Sequence, residues 1–207
     1  MPHEIRTAYS IQTDFQTRED SDKPMISGYF AVFNSPYEFL PGYREFVSPN
    51  AFDDALSDDI RALINHDTSL VLGRTAVKTL RLRTDSHGLY GEIDVNKDDA
   101  DAMNLYARVR RGDVSQCSFG FDILEEHKKI LKKGREVDFF IDKVRLYEVS
   151  VCTFPAYQQT NVNARSALDA RQDQIAALRK EWRDEQKNEL RQILRAAHQK
   201  GGVTCPH

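Results

Sequence analysis

Val114-Ser115-Gln116-Cys117-Ser118-Phe119-Gly120-Phe121 reads as a β-strand, because Val and Phe suit the pleated, half-buried surface of a sheet. Alternate residues of a strand share a face. Cys117, Phe119 and Phe121 therefore point one way, into a core, and Ser118 and Gly120 point the other. A glycine beside Ser118 on that face leaves room for another chain to approach. Ser115 is on the opposite side of the pleat and lacks the following glycine. Two roles stay open for Ser118: a hydroxyl on a solvated strand face, or a nucleophile held on a rigid strand.

A serine nucleophile needs a base and an orienting carboxylate, recognised by role rather than chain order. The chain has six histidines. His3 and His207 are terminal, His198 is in the tail, His87 is in a turn and His127 is in a basic loop. Only His66 closes an apolar strand, Ala62-Leu63-Ile64-Asn65-His66. Imidazole titrates near pH 6.5, which suits it to take a proton from serine and return it to a leaving amine. The plainer reading of His66 is a strand-end histidine bonded to Asp67. Glu148 lies inside Leu146-Tyr147-Glu148-Val149-Ser150-Val151. Strict alternation groups Leu146, Glu148, Ser150 and Cys152 on one face. A buried carboxylate without a partner is costly, so Glu148 either faces water from an edge or has a partner such as His66. Asp67 and Asp122 are rival carboxylates.

Around this strand the chain is mostly β. Met25 to Phe33 is a core strand broken by Asn34-Ser35-Pro36, and Tyr43 to Val47 is a short one. Ser48-Pro49 reads as a cap and first residue of a helix running through Leu56. Ile60 to His66 is the next strand. Thr79 to Thr84 and Leu89 to Val95 form a hairpin about Asp85-Ser86-His87-Gly88. Asp98-Asp99-Ala100-Asp101 opens a helix that runs to Arg110 or Arg111, stops at Gly112 and buries Ala102, Leu105, Tyr106 and Val109. The serine strand spans Val114 to Leu124, His127 to Arg135 is a basic loop or hairpin tip, and Val137 to Ile141 and Val144 to Thr153 are two further strands. From Ser166 the pattern changes to a charged helix of roughly 30 residues. Its stripe is Ile175, Leu178, Trp182, Leu190, Ile193 and Ala197. The predicted fold is α+β or mostly β, an antiparallel barrel-like domain with a few flanking helices and a long C-terminal helix. That helix either covers the domain as a solvated tail or packs on a partner.

Composition narrows the function classes. The 207 residues suffice for one core plus an appendage. A net charge of −3 supplies no basic field to attract nucleic acid. No apolar run approaches the roughly 18 residues of a membrane span, and Met1-Pro2-His3-Glu4-Ile5 does not begin a signal peptide. Three cysteines without metal-type spacing argue against a disulfide framework and for a reducing cytoplasm. There is no His-Glu-x-x-His, no Cys/His ligand set, no phosphate-binding glycine loop and no Gly-x-Ser-x-Gly elbow, so no metal or cofactor is expected. Cys117 faces the phenylalanine side and acts as a small core residue rather than a thiol nucleophile.

Six segments in order carry a resemblance. They are Gly28-Tyr29-Phe30-Ala31-Val32-Phe33-Asn34, Asn65-His66-Asp67, Leu72-Gly73-Arg74, Cys117-Ser118-Phe119-Gly120-Phe121, Leu146 to Cys152, and Pro155-Ala156-Tyr157. Over roughly residues 25–165 the chain resembles the prohead (capsid maturation) proteases of tailed bacteriophages and prophages. Cys117 and Cys152 depart from the larger apolar residue and the valine commoner at those places. The resemblance implies a β-barrel serine protease related in fold to the herpesvirus assemblins. It implies a triad of His66, Ser118 and Glu148, with Gly120 beside a substrate strand and Arg165 assisting the oxyanion. It implies a protease domain over 25–165. The polar residues 1–24 read as a poorly anchored strand or N-terminal arm. The helical tail (166–207), outside the resemblance, is expected to target the enzyme or to be removed by self-cleavage. The expected partners are the major capsid protein and its scaffold region, with self-association and without nucleic acid or membrane. The expected place of action is inside the procapsid, in the host bacterial cytoplasm. The alternative is a non-catalytic procapsid scaffold or interaction protein that keeps the fold.

Overall fold

The computed structural model of the chain describes residues 6–12, 15–18, 24–131, 136–153 and 162–200. Two sheets and two helices are formed by these residues. In chain order the strands are β1 (Arg6–Gln12), β2 (Gln16–Arg18), β3 (Met25–Val32), β4 (Tyr37–Leu40), β5 (Tyr43–Val47), β6 (Arg61–Ile64) and β7 (Asp67–Arg74). They continue with β8 (Leu80–Thr84), β9 (Gly88–Asp94), β10 (Gln116–Leu131) and β11 (Glu136–Cys152). The helices are α1 (Ala100–Arg111) and α2 (Val162–Lys200).

The larger sheet runs β1-β10-β11-β5-β4, and β6 joins it at β11 and carries β7. The smaller sheet runs β2-β3-β9-β8. The apolar faces of the two sheets meet. Phe30, Leu89 and Ile93 from one and Phe119, Phe121, Val149 and Val151 from the other belong to one buried cluster. Phe119 anchors it, edge-on to Phe52 with centroids 5.5 Å apart and 4.7 Å from Phe121. The predicted alternation holds here: Cys117, Phe119 and Phe121 are buried against this core, and the Cys117 thiol donates to the Tyr29 carbonyl at 3.0 Å.

Of the expected short flanking helices one, α1, is formed among the described residues. The expectation of a mostly β fold with a long C-terminal helix agrees with this architecture. The closed antiparallel barrel does not: the strand order is open, and two of its pairings are parallel. The reason lies in β11. The two runs read as separate strands are one strand of 17 residues. Its far edge pairs with β5 along Val137–Ile141 and with β6 along Glu148–Val151, both in parallel. β5 and β6 are thus two halves of one path along β11, interrupted by an excursion. The sheet branches at β11 instead of curling back on itself.

That excursion replaces the predicted Pro49–Leu56 helix. It holds turns and a single 3-10 turn at Ala55–Ser57. Ser48 directs its hydroxyl to Asp142 at 2.7 Å rather than capping a helix. β10 also extends through His127 to Leu131, so His127 is on a strand and not in a loop; residues 132–135 of the predicted loop lie outside the described residues. α1 agrees with its sequence signals. Asp99 accepts from the amides of Asp101 and Ala102, Gly112 closes the helix at φ 84°, and Ala102, Leu105, Tyr106 and Val109 are buried. α2 packs Ile175 and Leu178 against Tyr43, Val137 and Phe139, and Arg179 donates to the Tyr43 hydroxyl at 2.8 Å. Farther along, Leu190 and Ile193 are exposed. Among the described residues no helix is long and apolar enough to cross a membrane.

Candidate active site

The site begins with a two-residue turn. β6 and β7 are antiparallel, with Ile64 opposite Asp67, so Asn65 and His66 form the whole connection. Both have positive φ, 52° and 62°, as a type I′ hairpin turn requires. Asn tolerates that region and His does so at a cost. Asn65 is tied down by its amide donating to the Val151 carbonyl at 3.1 Å and by its Oδ1 accepting from the Thr153 amide at 2.9 Å. The turn folds His66 back over the face of β11.

There the imidazole meets Glu148. Nδ1 is 2.6 Å from Glu148 Oε1. The Ser150 hydroxyl donates to the other oxygen, Oε2, at 2.5 Å. The backbone N–H of His66 donates to Ser150 Oγ at 3.2 Å. Nε2 points toward Cys152, whose sulfur is 3.8 Å away. The ring therefore lies between the Glu148 and Cys152 side chains. The His66 and Glu148 side chains are only 22% and 10% exposed. Burial, and then the Glu148 charge, push the Cys152 thiol up to about 12, so at neutral pH it is a neutral group beside Nε2 and not a thiolate.

Ser118 lies one strand away. In the β10–β11 ladder Ser118 is opposite Ser150 and Gly120 is opposite Glu148. Opposed residues of an antiparallel pair project from the same face with Cβ atoms about 4.5–5.5 Å apart, so Ser118 shares the face of Ser150, Glu148 and Cys152. Ser118 has no exposed surface. Its other side borders β1, where the register slips between Ala8 and Ile11, across from Phe119 and Cys117. Two residues, Tyr9 and Ser10, thus span the one position of Ser118, a local bulge of the kind found next to active sites.

Three expectations change. Gly120 does not open an edge to a substrate strand, because β1 and β11 occupy both edges of β10 at that point. A Cβ on Gly120 would stand 2.5 Å from Glu148 Oε1, so the missing side chain makes room for the carboxylate. Leu146 does not share the face of Glu148. The ladder skips Tyr147 between Glu148 opposite Gly120 and Leu146 opposite Phe121. That irregularity turns Leu146 into the core with Val149 and Val151. The rival carboxylates are engaged elsewhere: Asp67 accepts from the Ser69 hydroxyl at 2.6 Å, and Asp122 accepts from Tyr147 at 2.7 Å. Arg165 falls within α2, but its side chain lies outside the described residues, as do Pro155-Ala156-Tyr157.

Ser150 is the residue that sequence reasoning missed. Its position two after Glu148 on one face was visible, but the turn that brings the His66 amide to it was not. The I′ signal is strongest as Asn-Gly, and Asn-His conceals it.

Chemically, the unit holds an imidazole with one nitrogen committed to a carboxylate and the other beside a neutral thiol. A serine stands on the neighbouring strand. This is the equipment of nucleophilic acyl transfer. Comparison with known proteins points the same way. No solved structure matches the chain. It is similar to the prohead protease of Enterobacteria phage HK97, with 30% identity over 173 residues that cover 82% of this chain and 72% of that protein. The sequence profile described as Caudovirus prohead serine protease matches residues 12–174, most of the chain, and the chain belongs to that family.

Proposed function

We propose that the chain is a serine endopeptidase that cleaves capsid and scaffold protein, and itself, within the procapsid. Ser118 Oγ attacks the scissile carbonyl carbon. Nε2 of His66 takes the hydroxyl proton and later delivers it to the leaving amine, while Glu148 holds the Nδ1 proton and stabilises the imidazolium. Water then repeats the sequence on the acyl-enzyme. The observation that carries the reading is the His66–Glu148 pair at 2.6 Å, largely shielded from solvent, with Glu148 on the strand directly beside that of Ser118. An imidazole set in a left-handed turn against a buried carboxylate favours this reading over a scaffold module without catalysis, since backbone strain tends to cluster at working sites.

Ser118 has no exposed surface, so the surroundings of its hydroxyl must rearrange before a substrate carbonyl reaches it. That fits a protease that stays silent until it is enclosed with its substrate. Residues 25–165 then form the catalytic domain, and the tail 166–207 directs the enzyme into the procapsid or is cleaved from it. Ser118→Ala is the test. Mass spectrometry of capsid protein from procapsids assembled with this variant should find only unprocessed chains. Normal processing would remove Ser118 from the mechanism. Deletion of 183–207, which keeps the Ile175 and Leu178 packing, should lower incorporation into procapsids while leaving peptide cleavage intact.

A further inference from the structure

We infer that Ser150 is a positioning residue that clamps both halves of the His66–Glu148 pair at once. The inference rests on the reading that this pair serves Ser118. Ser150 has no exposed surface, so its hydroxyl answers to protein groups and not to solvent. Its proton goes to Glu148 Oε2 at 2.5 Å, and its lone pair accepts the His66 amide at 3.2 Å. One oxygen thus fixes the carboxylate from below and the histidine backbone from behind.

Each bond has a distinct consequence. A carboxylate on a flexible glutamate stem can rotate about its last bonds. With Oε2 committed to Ser150, Oε1 is left facing Nδ1 at 2.6 Å. This directs the imidazole proton to Nδ1 and leaves Nε2 as the acceptor. The hydrogen bond from its backbone N–H helps hold His66 at φ 62°, a region that non-glycine residues occupy at a cost. Without it the ring would lose its fixed place over β11.

The geometry also separates Ser150 from a nucleophile. Its proton is given to a carboxylate and not to the imidazole. Ser118, its cross-strand neighbour, has no carboxylate opposite it. Ser150 therefore acts through His66 and Glu148 and not on the substrate.

The experiment uses the full chain. In assembled procapsids, a fluorophosphonate probe should label Ser118, with saturation kinetics that separate probe binding from the chemical step. Ser150→Ala should slow the chemical step about 10- to 100-fold, the range expected for loss of hydrogen bonds to a charged group, with probe binding unchanged. Ser150→Thr keeps the hydroxyl and should recover most of the rate. In parallel, nitrogen NMR of histidine-labelled protein, with the His66 signals identified by their absence in His66→Gln, should show Nδ1 protonated in the wild type. In Ser150→Ala the two nitrogens should average. Should Ser150→Ala not fold, Ser150→Cys, which keeps the volume with a weak donor, reads the same quantities.

Unchanged labelling and an unchanged NMR pattern in the folded variant would overturn the inference. So would equal losses in Ser150→Ala and Ser150→Thr, which would mean that volume and not the hydroxyl matters. Absence of label at Ser118 in the wild type would instead overturn the nucleophile itself, and the NMR comparison would still judge the clamp.

Discussion

Strand β11 carries a second histidine–carboxylate–serine unit, six residues from the first. At Glu148, the partners are His66 Nδ1 at 2.6 Å and the Ser150 hydroxyl at 2.5 Å. At Asp142, they are His127 Nδ1 at 2.5 Å and the Ser48 hydroxyl at 2.7 Å. By distances alone the two are twins. Their surroundings separate them. The His127 ring is 61% exposed and lies flat on Phe140 with centroids 4.7 Å apart. It reaches its carboxylate from the neighbouring strand of the same hairpin, without backbone strain. The His66 ring is mostly buried, stands on a left-handed turn and has a serine strand alongside. A histidine bonded to a carboxylate is therefore a common clasp. Burial, a left-handed turn and an adjacent serine strand set the His66 unit apart from the His127 unit.

The sharpest way to break this comparison is to neutralise each carboxylate. Glu148→Gln should reduce cleavage of capsid protein by about 10³- to 10⁴-fold, as expected when an imidazole loses the anion that fixes its tautomer. Asp142→Asn should leave the rate within about twofold. Equal effects would mean that the two units do the same work. Next in size is Gly120→Ala, whose new methyl would meet Glu148 Oε1 at 2.5 Å. Displacing the carboxylate should cut kcat by about 10-fold or more and destabilise the fold by about 1–3 kcal/mol, read by enzyme kinetics and thermal melting of one preparation.

A smaller effect is expected in stability near the exposed pair. Burial raises the Asp142 carboxyl, but the bonds from His127 and Ser48 outweigh it and the group ends below its usual range. A lowered folded value means that the contribution is present above the unfolded value, about 3.9, and is lost as pH falls through the folded one. Asp142→Asn should therefore lower the denaturation midpoint at pH 7, and the gap to wild type should close below about pH 4. The smallest effect belongs to Cys152. Its thiol stays protonated up to about pH 12, so Cys152→Val should change the cleavage rate by less than about threefold and add no limb to the pH–rate profile.

Much of this was legible in the chain. The pleat of Cys117 to Phe121 assigned Ser118 to the face it occupies, and the stripe of α1 was read residue by residue. His66 and Glu148 stood out because each was an awkward choice in an apolar strand. What was hidden depends on one-residue events. The slip at Tyr147 reverses the face of Leu146, and no alternation rule marks where a ladder slips. Asp142-Lys143 reads as a break between two strands, yet β11 runs through it because Ser48 and His127 satisfy the Asp142 carboxylate. The open, branched sheet follows from that continuity, and it was out of reach while β11 was read as two strands.

The parallel pairing of β6 with β11 bears on how the molecule comes into being. His66 and Glu148 are 82 positions apart. Closing so long a loop costs chain entropy before any contact rewards it, and non-local pairing of this kind forms late. The imidazole is synthesised first, the serine strand next and the carboxylate last, and the base is oriented only when β6 docks on the far end of β11. An unfinished or misfolded chain therefore carries the Ser118 strand without the assembled His66–Glu148 pair. On the proposed mechanism, peptide-bond cleavage belongs only to the completed fold, and the folding reaction itself guards against premature proteolysis.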